Sequence, residues 1–179
     1  MDINGYDHIL FVVALCAVYQ MTELKKVLIL ITAFTLGHSI TLALATLDLL
    51  SINKGLIEFL IPVTIFITAI SNIIKGPNQI LNVRMSINYL FAAGFGLIHG
   101  MGFSSYLKSL LGRDTNIVNQ LLAFNIGLEI GQLVIVGIFL MIGFIITNIF
   151  GSTRKDWNLA VSSGVAAIAI TLMIDTKFW

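Results

Sequence analysis

Three histidines and a handful of carboxylates stand inside, or at the mouths of, long apolar runs. The stretch NGYDHILF sets Asp7 and His8 directly before the first run; AFTLGHSITL carries His38, GFGLIHGMGF carries His99 and FNIGLEIGQL carries Glu129. An ionisable side chain at membrane depth costs about 2.5–3.5 kcal/mol on insertion scales, so such groups face a bundle interior or a watered cavity and mark function. Imidazole with carboxylate is a borderline donor set, suited to Zn, Ni, Co or Fe(II) better than to Mg or Ca. The same residue types also build proton relays.

Spacing adds to residue type. Thr35, His38, Ser39 and Leu42 share one helical face at i, i+3, i+4 and i+7. A ligand and an interhelical hydrogen bond are equally good readings of His38 taken alone. Gly96 and Gly100 bracket His99 in a small-xxx-small pattern that brings another backbone close and turns this histidine toward neighbouring helices. Asn125, Glu129 and Gln132 fall at i, i+4 and i+7, a polar stripe beyond what helix packing requires, while Gly127 and Gly131 mark an adjacent close-packing face. Glu58 reads as a solvated helix start favoured by the helix dipole, and Asn72 as a residue near the opposite surface.

The elements that must position these residues are membrane helices. Of 179 residues, 58% are hydrophobic and 11% charged, with a mean hydropathy of +0.98, far from a soluble composition. An all-α, polytopic bundle of six helices, or seven, follows, forming a single integral membrane domain over residues 1–179. The spans fall at Tyr6–Thr22, Val27–Leu50, Leu56–Ile74, Ser86–Leu111, Ile117–Phe150 and Trp157–Ile174. The first is short and the fifth long. Short polar breaks, including Lys75–Asn78 and Gly112–Asn116, favour antiparallel neighbours. Asp2 and Asp7 stand where a signal peptide would carry basic residues, so the first run is read as a retained helix.

Lys25, Lys26, Lys75, Arg154 and Lys155, with Arg84, fall on one side, and Lys54, Lys108, Arg113 and Lys177 on the other. This bias places both termini outside a bacterial inner membrane. Asp7, His8 and Glu58 then lie at the outer ends of their helices, and His38, His99 and Glu129 about 15–20 Å from their nearer breaks. A net charge of +1 gives no nucleic-acid footprint, the lone Cys16 allows no intrachain disulfide, and no phosphate-binding loop is present.

The four quoted blocks, in this order, resemble those of the HupE/UreJ family of small polytopic membrane proteins. The resemblance implies a six- or seven-helix bundle and, for one branch, uptake of nickel or a related divalent metal. Asp7 and His8 match the family's Asp-His pair, and His99-Gly100 its later His-Gly step. The nickel-permease branch has a histidine where this chain has Met1, and a His and Glu where it has Phe95 and Gly102, so the match is closer to a second branch.

The leading expectation is a permease for a divalent transition metal, nickel or zinc foremost, held by Asp7, His8, His38, His99 and Glu129. Asn125, Gln132, Ser39, Thr35 and Glu58 support that set. One alternative is an intramembrane zinc hydrolase, with His8, His38 and His99 as ligands and Glu129 as base; no His-Glu-x-x-His motif accompanies it. The other is a non-catalytic membrane subunit using these residues as glue. The bilayer and a metal ion are the expected partners, with a second copy or another membrane protein also open.

Overall fold

The computed structural model describes residues 6–50, 52–82, 85–111 and 117–179. Among these the chain forms six α-helices and no strand: α1 Tyr6–Cys16, α2 Leu24–Thr46, α3 Lys54–Asn82, α4 Met85–Leu111, α5 Ile117–Phe144 and α6 Arg154–Asp175. Expectations that fall on Met1, Asp2, Arg84, Arg113 and the Gly112–Asn116 break lie outside the described residues. Four segments, Met21–Thr46, Lys54–Asn78, Asn119–Ile149 and Arg154–Asp175, are long and apolar enough to cross a membrane, with mean hydropathies from 1.8 to 2.5.

The first span departs from its expected length. Tyr6–Thr22 was expected as one helix, yet α1 stops at Cys16 after 11 residues, about 16 Å. Residues 17–19 continue as non-helical chain, buried inside the bundle. Irregular backbone at this depth is tolerated only where protein satisfies its polar groups, and two side chains do so. The Asn72 amide donates to the Ala14 carbonyl at 2.7 Å, and the Arg154 guanidinium donates to the Val18 carbonyl at 2.7 and 3.2 Å. Asn72 is therefore a buried cap for α1 rather than a surface residue. Its own carbonyl accepts from Asn158 at 2.9 Å, and Asn158 in turn accepts from Ser162 at 3.1 Å, so α1, α3 and α6 are tied together.

Lys75–Asn78 was expected to end the third span. Instead the backbone bends at Gly76 (φ 65°, ψ 171°), a left-handed conformation natural to glycine, and helical turns resume from Pro77, whose missing N–H suits a helix start. The fifth span runs as expected, α5 continuing as a π-helical turn over Ile145–Ile149.

The most extensive helix pairings are α2 with α4 and α3 with α6. The first follows from the glycines: a Cβ at Gly37 would strike the Ala93 carbonyl, one at Gly96 the Phe34 carbonyl and one at Gly100 the His38 carbonyl. Removing those side chains lets the two backbones touch, and Thr41 closes the seam by donating to the Leu97 carbonyl at 2.7 Å. Phe11, Leu30, Ile31, Phe34, Ile65 and Ala69 fill the core between α1, α2 and α3. Gly127 and Gly131, expected to pack closely, have open space where a Cβ would stand. α5 instead packs inward through Gln132, Val136 and Leu140 and turns Ile126, Ile130, Val134 and Ile138 outward, as lipid permits.

Candidate functional site

The histidines come from three helices and meet at one point. His8 enters from the first turn of α1, His38 from the middle of α2 and His99 from the middle of α4. The His8 ring centroid lies 5.0 Å from that of His38 and 5.3 Å from that of His99. His38 and His99 are wholly inaccessible, and His8 is 8% exposed. Close contact of α2 and α4 at Gly96 and Gly100 brings His38 and His99 into the same layer, with α1 laid against both.

Ring nitrogens are the chemically significant atoms. Among the described residues, both nitrogens of His38, Nε2 of His8 and Nδ1 of His99 are buried without a hydrogen bond of good geometry. The His99 tautomer follows from its neighbour. The Thr64 hydroxyl lies 3.1 Å from His99 Nε2 and has an acceptor in the Ile61 carbonyl at 2.7 Å. A hydroxyl has one proton to donate, so with that proton on Ile61 it accepts from Nε2–H, which leaves Nδ1 with a bare lone pair inside the cluster. An outer hydrogen bond that fixes a ring in this way is what a ligating histidine requires.

Aromatic rings surround the trio. Phe34 lies 5.2 Å from His99, and Phe103 5.7 Å from His8. Phe11 and Phe34 stack at 4.7 Å, with Phe11 also 5.0 Å from His99. The histidines meet edge to face, His8 at 80° to His38 and 90° to His99, which points ring edges at ring faces instead of nitrogens at a common point. Accordingly, among the described residues no group of three or more His, Cys, Asp or Glu side chains is arranged to hold a metal ion.

On the side of the helix ends, the cluster borders a cavity of about 230 Å³ lined by Asp7, His8, Glu58, His99 and Asp175. Three carboxylates thus stand over two of the histidines. Among the described residues, buried Asp7 Oδ1 has no hydrogen-bond partner, while Glu58 pairs with Lys54 at 3.5 Å and is partly solvated. Sequence reasoning passed over Asp175, Thr64 and the phenylalanines. Asp175 was recoverable, because an acidic residue closing the last span falls at the same end of the bundle as Asp7; Thr64 and the rings carry no motif.

The α5 stripe is divided. Asn125 lies beside His38, but Glu129 accepts from Thr32 at 3.1 Å and Gln132 from the buried Thr35 hydroxyl at 3.0 Å. Thr32 precedes His38 by six residues, about 9 Å along α2, so Glu129 stands apart from the histidine layer. Ser39 donates to the Thr35 carbonyl one turn back at 2.7 Å, within its own helix. The structure therefore brings together Asp7, His8, His38, His99, Asn125 and, at the mouth, Glu58; it leaves Glu129, Gln132 and Thr35 in the α2–α5 seam and Ser39 bonded within α2.

No curated protein and no solved structure matches the chain. A family model described as HupE / UreJ protein matches residues 2–178, nearly the whole length. That match agrees with the six apolar helices and with the order of the polar blocks, and the chain belongs to the HupE/UreJ family of membrane proteins.

Proposed function

We propose that this membrane protein takes up a divalent transition metal ion and passes it through the bundle by way of the three histidines. The observation that carries the reading is the convergence of His8, His38 and His99 from three helices, with unpartnered ring nitrogens, directly beneath a carboxylate-lined cavity. An imidazole cluster built only for packing would consume its nitrogens in hydrogen bonds, because an orphaned buried polar atom costs about 1–3 kcal/mol. Among the described residues, Thr64 holds one ring nitrogen of His99 and presets its tautomer, while four other buried ring nitrogens of the trio have no hydrogen bond of good geometry.

In this reading Asp7, Glu58 and Asp175 raise the local concentration of dications at the mouth. The ion then gives up water ligands for the Asp7 carboxylate and the His8 imidazole, and His38 and His99 receive it within the bundle. Imidazole donors favour nickel, cobalt or zinc over magnesium and calcium. The stacked Phe11 and Phe34 close the deep side in the conformation described, so passage requires these rings to part. In this reading the basic residues at the opposite end favour a cytosolic face there, with the N-terminus outside a bacterial inner membrane. The Thr32–Glu129 and Thr35–Gln132 bonds favour helix-joining roles for this part of the polar set.

Elemental analysis of the purified protein, with calorimetric titration of Ni²⁺, Zn²⁺, Co²⁺ and Mg²⁺, tests the proposal. Binding of a transition ion, abolished in His99→Ala and absent for Mg²⁺, is expected, together with loss of cellular uptake. Uptake unchanged in His99→Ala would count against the proposal.

A further inference from the structure

At the end of the bundle opposite the carboxylates, a cavity of about 550 Å³ lies between the bend of α3 and the start of α6, lined by Lys75, Asn78, Thr153, Arg154 and Lys155. Arg154 is engaged by Glu23 and the Val18 carbonyl. Lys75 and Lys155 are exposed, and neither has an ion-pair partner among the described residues. The one acidic side chain in this turn, Asp156, is held by the Thr153 hydroxyl at 2.6 Å and does not line the cavity.

A second cavity, of about 230 Å³, adjoins the first through Lys75, which lines both. It runs between α1, α2, α3 and α4, with Thr68, Ser71 and Asn72 contributing polar atoms and Leu30, Ala92 and Phe95 on its walls. Its lining includes Ile67 and Phe91, 50% and 61% exposed on surfaces that face lipid. A basic pocket at the end of an apolar span thus shares Lys75 with a mainly apolar slot whose lining includes exposed apolar side chains. Neither half suits a soluble metabolite as well as it suits an amphiphile.

We propose that these two cavities form one binding site for an anionic phospholipid, with its phosphate between Lys75 and Lys155 and part of an acyl chain in the α3–α4 slot. Charge complementarity selects the occupant: two unpaired ammonium groups at the interface attract anionic headgroups, each such residue contributing about 1 kcal/mol near an anionic surface. A zwitterionic lipid brings its own cation into the same pocket and loses that gain. The site is independent of the histidine cluster, which opens at the opposite end.

The test is native mass spectrometry of the full chain, delipidated in detergent and offered phosphatidylglycerol, phosphatidylcholine or inorganic phosphate. Phosphatidylglycerol is expected to stay bound, phosphatidylcholine to be released, and inorganic phosphate to neither bind nor compete at millimolar concentration. Lys75→Gln with Lys155→Gln should weaken retention at least about tenfold. Lys25→Gln, at the same end of the bundle but outside the cavities, should leave retention unchanged and serves as the control for general charge. Equal retention of the two lipids, full retention by the double variant, loss by the control, or displacement by inorganic phosphate would each overturn the proposal. Because the three substituted lysines, Lys25, Lys75 and Lys155, are exposed, circular dichroism can establish that each variant is folded before retention is compared.

Discussion

At the residue scale, the site depends on which nitrogens are left free. His99 Nδ1 carries a lone pair only because Thr64 occupies Nε2 and gives its own proton to Ile61. Replacing Thr64 with Val keeps the volume but removes that acceptor, and metal affinity is expected to fall about 10- to 100-fold, as for other partners of ligating histidines; calorimetry on folded protein reads this directly. Asp175→Asn should lower the association rate for a dication more than it changes the dissociation rate, because a charge at the mouth steers encounter. Stopped-flow binding at low and high salt separates the two, and a rate insensitive to both Asp175 and salt would remove this residue from the mouth. His8, His38 and His99 were legible from type alone, since each interrupts an apolar run. Their partners were not: Thr64 looks like any small polar residue in a membrane helix, and Glu129, the most conspicuous carboxylate, is drawn to Thr32 by a register that only packing defines.

At the element scale, α1 and the α2–α4 seam do the positioning. The six helices and most of their limits could be read from hydropathy, and the Gly96–Gly100 contact from spacing. The early end of α1 could not, because Leu15, Ala17 and Val18 are as apolar as the helix before them, and what stops the helix is a pair of distant caps, Asn72 and Arg154. Asn72→Ala should leave the Ala14 carbonyl buried without its side-chain donor and destabilise the bundle by about 1–3 kcal/mol. Thermal unfolding in detergent measures this. Gly96→Val must push α4 away from the Phe34 carbonyl, with an expected cost of about 1–3 kcal/mol or more, whereas Gly94→Ala, with open space at its Cβ, should remain within about 0.5 kcal/mol of the parent. Equal responses at Gly94 and Gly96 would contradict the close approach of α2 and α4. Gly127 and Gly131 show why spacing alone misleads: the same motif that joins α4 to α2 faces outward on α5.

At the scale of the whole molecule, the two end cavities carry linings of opposite charge. Asp7, Glu58 and Asp175 gather at one end, while Lys75, Arg154 and Lys155 gather at the other. This polarity agrees with a cation received at the acidic mouth and a basic end set against an anionic cytosolic leaflet. A cysteine placed at Lys155 should therefore react with a membrane-impermeant maleimide only in inverted vesicles, and one at Lys177 only in intact cells. The central claim is that the three histidines hold a transition metal ion. Its most direct test is elemental analysis with calorimetry on purified protein and on the His8→Ala, His38→Ala and His99→Ala variants. The account predicts a transition ion bound by the parent and lost in each folded variant. A parent that binds no such ion, or variants that bind it undiminished, would contradict the account.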